Sequence, residues 1–123
     1  MTTSSRGFTL IELLLVLFVV ALLAGIAAPV VTGSLQHAKE AALKEDLHVL
    51  RKAIDDHHAD TGGYPEDLQS LVDKRYLRRV PPDPLTESRD SWELVREEGQ
   101  DGVVDVRSGA SGEDRTGVPY KAW

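Results

Sequence analysis

The sequence predicts an α+β fold: a long N-terminal helix, membrane-spanning in its first half, whose second half packs on a small antiparallel β-sheet. Three observations predict it. No charged residue occurs from position 13 to 36, and a stripe at helical spacing follows at Leu43, Leu47, Leu50 and Ile54. Two short segments of strand character, 91–96 and 103–107, then flank turn residues at 99–102.

The first element opens at Gly7-Phe8-Thr9-Leu10-Ile11-Glu12, after a short polar leader ending in Arg6. An acid at a bilayer centre costs about 2.5 to 3.5 kcal/mol on insertion scales, and less near an end, so Glu12 needs a partner or a role. Thr9-x-x-Glu12 fits a capping box: Thr9 caps the helix, and Glu12 reaches back to a free N–H in the favourable field of the helix N-terminus. That accounts for the helix start. It leaves Gly7, Phe8 and the leader unexplained.

Residues 13–31 nearly reach the roughly 20 apolar residues that cross hydrocarbon at about 1.5 Å per residue. A secretory signal is a second identity for such a run, with Ala24-Gly25-Ile26-Ala27-Ala28 as its cleavage site. Glu12 inside the region and Pro29 beside the cut oppose it. A buried core helix is a third identity, but the rest of the chain is too polar to cover an element apolar on every side.

Arg6-Gly7-Phe8-Thr9-Leu10-Ile11-Glu12-Leu13-Leu14 resembles the leader and mature start of type IV pilins and type II secretion pseudopilins. The resemblance implies a pilin-like fold, a leader peptide over 1–7 and a transmembrane or filament-core helix over 8–33. It also implies cleavage after Gly7 by a prepilin peptidase, followed by methylation of the new amine of Phe8. Glu12 thereby gains a task. Its carboxylate and the Phe8 ammonium lie four residues apart, and opposite charges attract strongly in a low dielectric. Within one subunit they can neutralise each other; between subunits, the Glu12 of an incoming chain can seek the Phe8 amine of the last one added and set the assembly register. The capping box and this role are compatible.

With 123 residues and one membrane segment, a single small domain over 34–123 remains. The net charge is −6, and only Arg6 and Glu12 precede Lys39, so the acidity belongs to that domain. A nucleic-acid partner would call for clustered Lys and Arg on the binding face, so none is expected. Arg6 and the N-terminus favour the cytoplasmic side, while the flank after the span mixes Lys39 with Glu40 and Glu45; with the resemblance, the expectation is a single-pass inner-membrane protein with its C-terminal domain in the periplasm. No cysteine is present, so the domain is held without disulfides. Many type IV pilins staple their C-terminal region with one, whereas major pseudopilins usually do not.

Beyond the span the helix should continue as an amphipathic rod to about residue 61, with Leu35, Ala38 and Ala42 extending its stripe toward the membrane. Gly62-Gly63 ends it. Gly25 and Pro29 lie in its apolar half. The family's filaments can unwind at the equivalent stretch, so 25–29 is a candidate hinge; a simple proline kink is the other account. Pro65, Leu68, Leu71, Val72, Tyr76 and Leu77 suggest a short second helix from near Glu66. Pro81-Pro82-Asp83-Pro84 makes an extended connector, and the two strands follow.

The run from Ala53 through Asp55-Asp56-His57-His58, Asp60 and Gly62-Gly63-Tyr64-Pro65 resembles the major pseudopilin of type II secretion, the G subunit. So do Pro82-Asp83-Pro84 and the ending from Asp105 to Trp123. One departure stands out: Leu85-Thr86-Glu87 occupy the place where that subunit usually has a tryptophan and a glycine. His57 and His58 among Asp55, Asp56 and Asp60 could serve zinc or acid–base chemistry, but no distant ligand set completes them and a solvated helix end explains the run. No serine stands in a nucleophile elbow, so no enzyme is expected. The resemblance implies calcium in the C-terminal loop, where six to eight oxygens are required. Glu113 and Asp114, with Ser111 and nearby carbonyls, are the only candidates there. The alternative is a plain mobile loop pinned by Tyr120 and Trp123, with no certain cofactor.

The expected function is therefore that of a structural subunit of the type II secretion pseudopilus. Its partners would be further copies of itself, prepilin peptidase, minor pseudopilins, an inner-membrane assembly platform and lipid. A type IV pilin for adhesion, motility or DNA uptake is the alternative. A membrane-anchored binding module or hydrolase is a more remote one.

Overall fold

The computed structural model describes residues 7–123, so the leader positions 1–6, with Arg6, lie outside the described residues. The chain divides into two compact units, one up to Gln36 and one of His37–Trp123. A helix, α1 (Leu10–Thr61), contributes to both.

In the first unit α1 is long and apolar enough to cross a membrane. Every described residue up to Leu35 is exposed. Each large apolar side chain left in water forgoes about 1.5 to 3 kcal/mol of burial, so this unit calls for a cover from outside the chain. Pro29 is accommodated within the helix. It lacks the N–H that would bond the carbonyl of Gly25, four residues back. Thr32 Oγ1 adds a bond to the Ala28 carbonyl at 2.9 Å, a pattern that tends to bend helices.

The second unit is built on the remainder of α1. Leu43, Leu47, Leu50 and Ile54 are buried as their spacing requires, joined by Ala53. Leu35, Ala38 and Ala42, expected to extend the stripe, are exposed. The buried face instead continues one turn further back to Glu40, an acid where the pattern called for an apolar residue. α1 ends at Thr61, where Gly62 takes a left-handed φ of 77° and returns its N–H to the His58 carbonyl at 2.8 Å.

α2 (Leu68–Asp73) begins two residues later than Glu66, because Asp67 caps it by accepting the Ser70 N–H at 2.7 Å. It lays Leu68 and Leu71 into the core. β1 (Glu93–Val95) and β2 (Asp105–Arg107) pair antiparallel, with Leu94 opposite Val106. Both are shorter than the sequence suggested. Val103 is drawn out of the ladder because its N–H donates to the Pro65 carbonyl at 2.7 Å. Gly102 permits this approach, since a Cβ there would lie 2.6 Å from the carbonyl oxygens of Tyr64 and Pro65. Gly109 is tighter still: a Cβ would stand 1.9 Å from the Ser91 carbonyl oxygen.

The proline-rich connector is irregular, as expected, but its acid is not a surface residue. Asp83 is fully buried and accepts Ser108 Oγ at 2.5 Å and the Leu85 N–H at 2.9 Å. Trp92 is buried too and donates Nε1–H to the Pro81 carbonyl of the same connector at 2.8 Å. Among the described residues no buried side-chain polar atom lacks a partner.

Candidate functional site

The N-terminal segment carries the motif that the rest of the fold does not require. Residues 7–9 are irregular and α1 starts at Leu10. Thr9 and Glu12 form the expected capping box: the Glu12 N–H donates to Thr9 Oγ1 at 3.1 Å, and the Thr9 N–H reaches Glu12 Oε2 at 3.4 Å. The second bond is at the outer limit of hydrogen bonding and gives up little if broken. Glu12 is thus held loosely, at the positive end of a helix, four residues beyond Phe8. Phe8 is 76% exposed. No atom outside the immediate chain lies within 4 Å of the place a Cβ would take on Gly7, so packing gives no reason for glycine there.

Residues 2–28 match the family model for the prokaryotic N-terminal methylation motif. Beyond the motif, the chain is 33% identical to type II secretion system core protein G of Klebsiella michiganensis, over 94% of this chain and 87% of that protein. It belongs to the core protein G family of type II secretion systems. The proteins of the same name from Escherichia coli K12 and Vibrio cholerae are similar along nearly their whole lengths. The first is 29% identical over 99% of this chain and 93% of its own, the second 28% over 95% and 90%. No solved structure matches.

In this core protein G family member, Gly25 and Pro29 lie within an uninterrupted stretch of α1. They are coupled, since Pro29 removes the one intrahelical donor available to the Gly25 carbonyl. The acidic and histidine-rich end of α1 disperses into separate structural pairs. Asp56 bonds Lys52 at 2.7 Å, and Asp60 accepts the Tyr76 hydroxyl at 2.9 Å. His58 stacks on Tyr64 with ring centroids 4.2 Å apart. His57 is buried; Lys74 Nζ donates to its Nε2 at 3.2 Å, so Nδ1 carries the proton and donates to the Gly63 carbonyl at 2.7 Å. Among the described residues no three His, Asp or Glu side chains converge to hold a metal ion.

The C-terminal loop brings Asp114 to a hub and leaves Glu113 on its rim. Asp114 Oδ1 accepts Thr116 Oγ1 at 2.6 Å and the N–H groups of Thr116 and Val118 at 2.8 and 3.0 Å. Its Oδ2 accepts Trp123 Nε1–H at 3.2 Å. The Thr116 hydroxyl first, joined by the Val118 and Thr116 amides and the indole, holds this carboxyl below the usual Asp range, against an opposing effect of burial second only to the hydroxyl. Glu113 is exposed and bridges backbone to backbone with Pro119. Three donors crowd Oδ1 of Asp114 and one holds Oδ2, which leaves this carboxylate little to give a metal that takes six to eight oxygens, so the donor set as folded does not fit calcium.

Three residues tie the loop to the domain in a role that the sequence did not suggest. Glu40 Oε1 accepts the Tyr120 hydroxyl at 2.9 Å. Arg51 donates to Asp105 at 2.9 Å, the Val106 carbonyl at 3.1 Å and the Trp123 main-chain oxygen at 2.6 Å. Asp83 anchors Ser108 at the root of the loop. Glu40 left a signal, as an acid three residues before Leu43 on the apolar face of a helix, and Asp83 stood within the Pro82-Asp83-Pro84 motif.

Proposed function

We propose that this chain is a structural, non-enzymatic subunit of the type II secretion pseudopilus, polymerised from the inner membrane to drive protein export across the outer membrane. Prepilin peptidase cuts between Gly7 and Phe8 and methylates the Phe8 amine. The first half of α1 spans the membrane and then lines the filament core, while residues 34–123 face the periplasm. Minor pseudopilins and an inner-membrane platform are the assembly partners, and 25–29 is the stretch of α1 that yields on assembly. The observation that carries this reading is the methylation motif over residues 2–28, in a chain that resembles core protein G relatives along nearly its whole length.

The mechanism follows from the charge that cleavage creates. At 4 Å an ammonium and a carboxylate attract by about 4 kcal/mol at an effective dielectric of 20, and more strongly in a drier setting. The long Thr9–Glu12 contact opposes little of this. An incoming subunit therefore exchanges a weak cap for an ion pair with the Phe8 amine of its neighbour. The match of charges stops the axial slide at one register.

Glu12→Gln separates the two roles of Glu12, because glutamine keeps the capping box and loses the charge. Processing and membrane insertion should persist in this variant, while cross-linked filaments and export of secreted protein are lost. Normal assembly of Glu12→Gln would reduce Glu12 to a helix cap and refute the register device.

A further inference from the structure

We propose that the C-terminal segment of this chain is fastened by a metal-independent clasp, in which Asp114, Arg115, Tyr120 and Trp123 close the loop on Glu40 and Arg51 of α1. Metal-binding loops of this size present carboxylates and carbonyls whose lone pairs point at a common centre. Here the Asp114 carboxylate and three of the loop's carbonyls point at protein donors. Two amides, a hydroxyl and an indole N–H occupy the Asp114 carboxylate. The carbonyls of Gly112, Asp114 and Val118 each receive an amide from within the loop. Asp114 thus does for the loop what an N-cap does for a helix, gathering donors that the irregular backbone would otherwise strand.

Positive charge is supplied by the chain as well. Arg115 Nε lies 4.0 Å from Glu40 Oε2, and its guanidinium donates to His37 Nδ1. The other oxygen of Glu40 accepts the Tyr120 hydroxyl in a buried bond. One cation on the loop therefore faces the carboxylate that α1 presents to it, and a divalent ion brought beside Arg115 would meet repulsion instead of a vacancy. Trp123 completes the closure from both ends. Its ring meets Tyr120 edge to face at 5.6 Å, its indole reaches Asp114, and its main-chain oxygen accepts from Arg51 at 2.6 Å.

The test is thermal unfolding of the purified full-length chain in detergent, followed by tryptophan fluorescence, with excess calcium and with EGTA. A site filled at 100 times its dissociation constant would raise the Tm of a domain this size by about 10 °C or more. The clasp predicts coincident curves, and no terbium luminescence sensitised through Tyr120 or Trp123. Asp114→Asn and Arg115→Gln should each lower the Tm equally in calcium and in EGTA, and should speed proteolytic trimming of the C-terminal segment. A calcium-dependent rise in the wild-type Tm, or sensitised terbium emission lost in Asp114→Asn, would overturn the proposal. So would unchanged stability and trimming in both variants. None of these outcomes bears on the role of Glu12, so the clasp and the proposed function stand or fall separately.

Discussion

Asp83 offers the sharpest energetic test of how the domain is held together. It is a fully buried carboxylate in a proline-rich connector, and its worth comes from donors that nothing else can satisfy. Asp83→Ala orphans Ser108 Oγ–H and the Leu85 N–H, and removes the longer, weaker contact from the Thr86 N–H at 3.4 Å. At about 1 to 3 kcal/mol for each buried group left unpaired, the loss comes to about 3 kcal/mol. Asp83→Asn keeps the oxygen that faces Leu85 and Thr86. Its amide turns the Ser108 hydroxyl from donor into acceptor, a cost of about 1 kcal/mol that is partly offset because one of two neighbouring negative charges disappears. Urea unfolding of the full-length chain in detergent, read through the fluorescence of Trp92, which bonds the same connector, measures both. A loss below about 1 kcal/mol in the alanine variant, or equal losses in the two, would refute the view that unpaired donors dominate.

Asp46 is the charge that Asp83 disturbs. Burial first, then the negative charges of Asp83 and Glu45, raise its carboxyl above the usual Asp range. The folded chain therefore binds more protons than the unfolded one between the ordinary and the raised value, and stability falls as pH rises through that window. Asp46→Asn should raise the Tm at neutral pH, and the gain should shrink as pH drops below the ordinary Asp range; a pH-independent gain would point to a cause other than charge. Gly109→Ala should cost about 3 kcal/mol or more, because its Cβ would stand 1.9 Å from the Ser91 carbonyl oxygen and backbone must move to admit it. A correctly folded Gly109→Ala domain with a native urea midpoint would show that the approach is not as close as described. Leu50→Ala, at a fully buried position of α1, should cost about 2 to 5 kcal/mol in the same assay.

The parts of this fold that the sequence revealed are those set by local periodicity and local chemistry. The Leu43 to Ile54 stripe, the Thr9 and Glu12 cap and the Gly62 stop each depend on residues within a few positions of one another, so spacing alone exposes them. Strand limits were blurred because Val103 answers to Pro65, far away in sequence, and not to its strand partner. The ties that position the C-terminal loop were hidden for the same reason. Glu40 meets Tyr120 across 80 residues and Arg51 meets Trp123 across 72, and no local pattern encodes such a meeting. The failed extension of the stripe to Leu35, Ala38 and Ala42 has a different origin. The domain does reach this stretch, since it buries Glu40 and Leu43, but at about 100° per residue Ala38 and Ala42 fall on another face of α1 and stay exposed, as does Leu35 in the first unit. At the N-terminal site the motif was legible in full, because Gly7, Phe8, Thr9 and Glu12 are contiguous or nearly so.

The central claim is that Gly7 marks a cut and that Phe8 carries the charge the cut creates. Mass spectrometry of the N-terminal peptide, from chain purified out of cells that carry a prepilin peptidase, tests it most directly. The account predicts a first residue of Phe8 bearing one methyl group on its amine, and an intact leader when the peptidase is absent. An intact Met1 in the presence of the peptidase, or a chain beginning near Ala27, would contradict it.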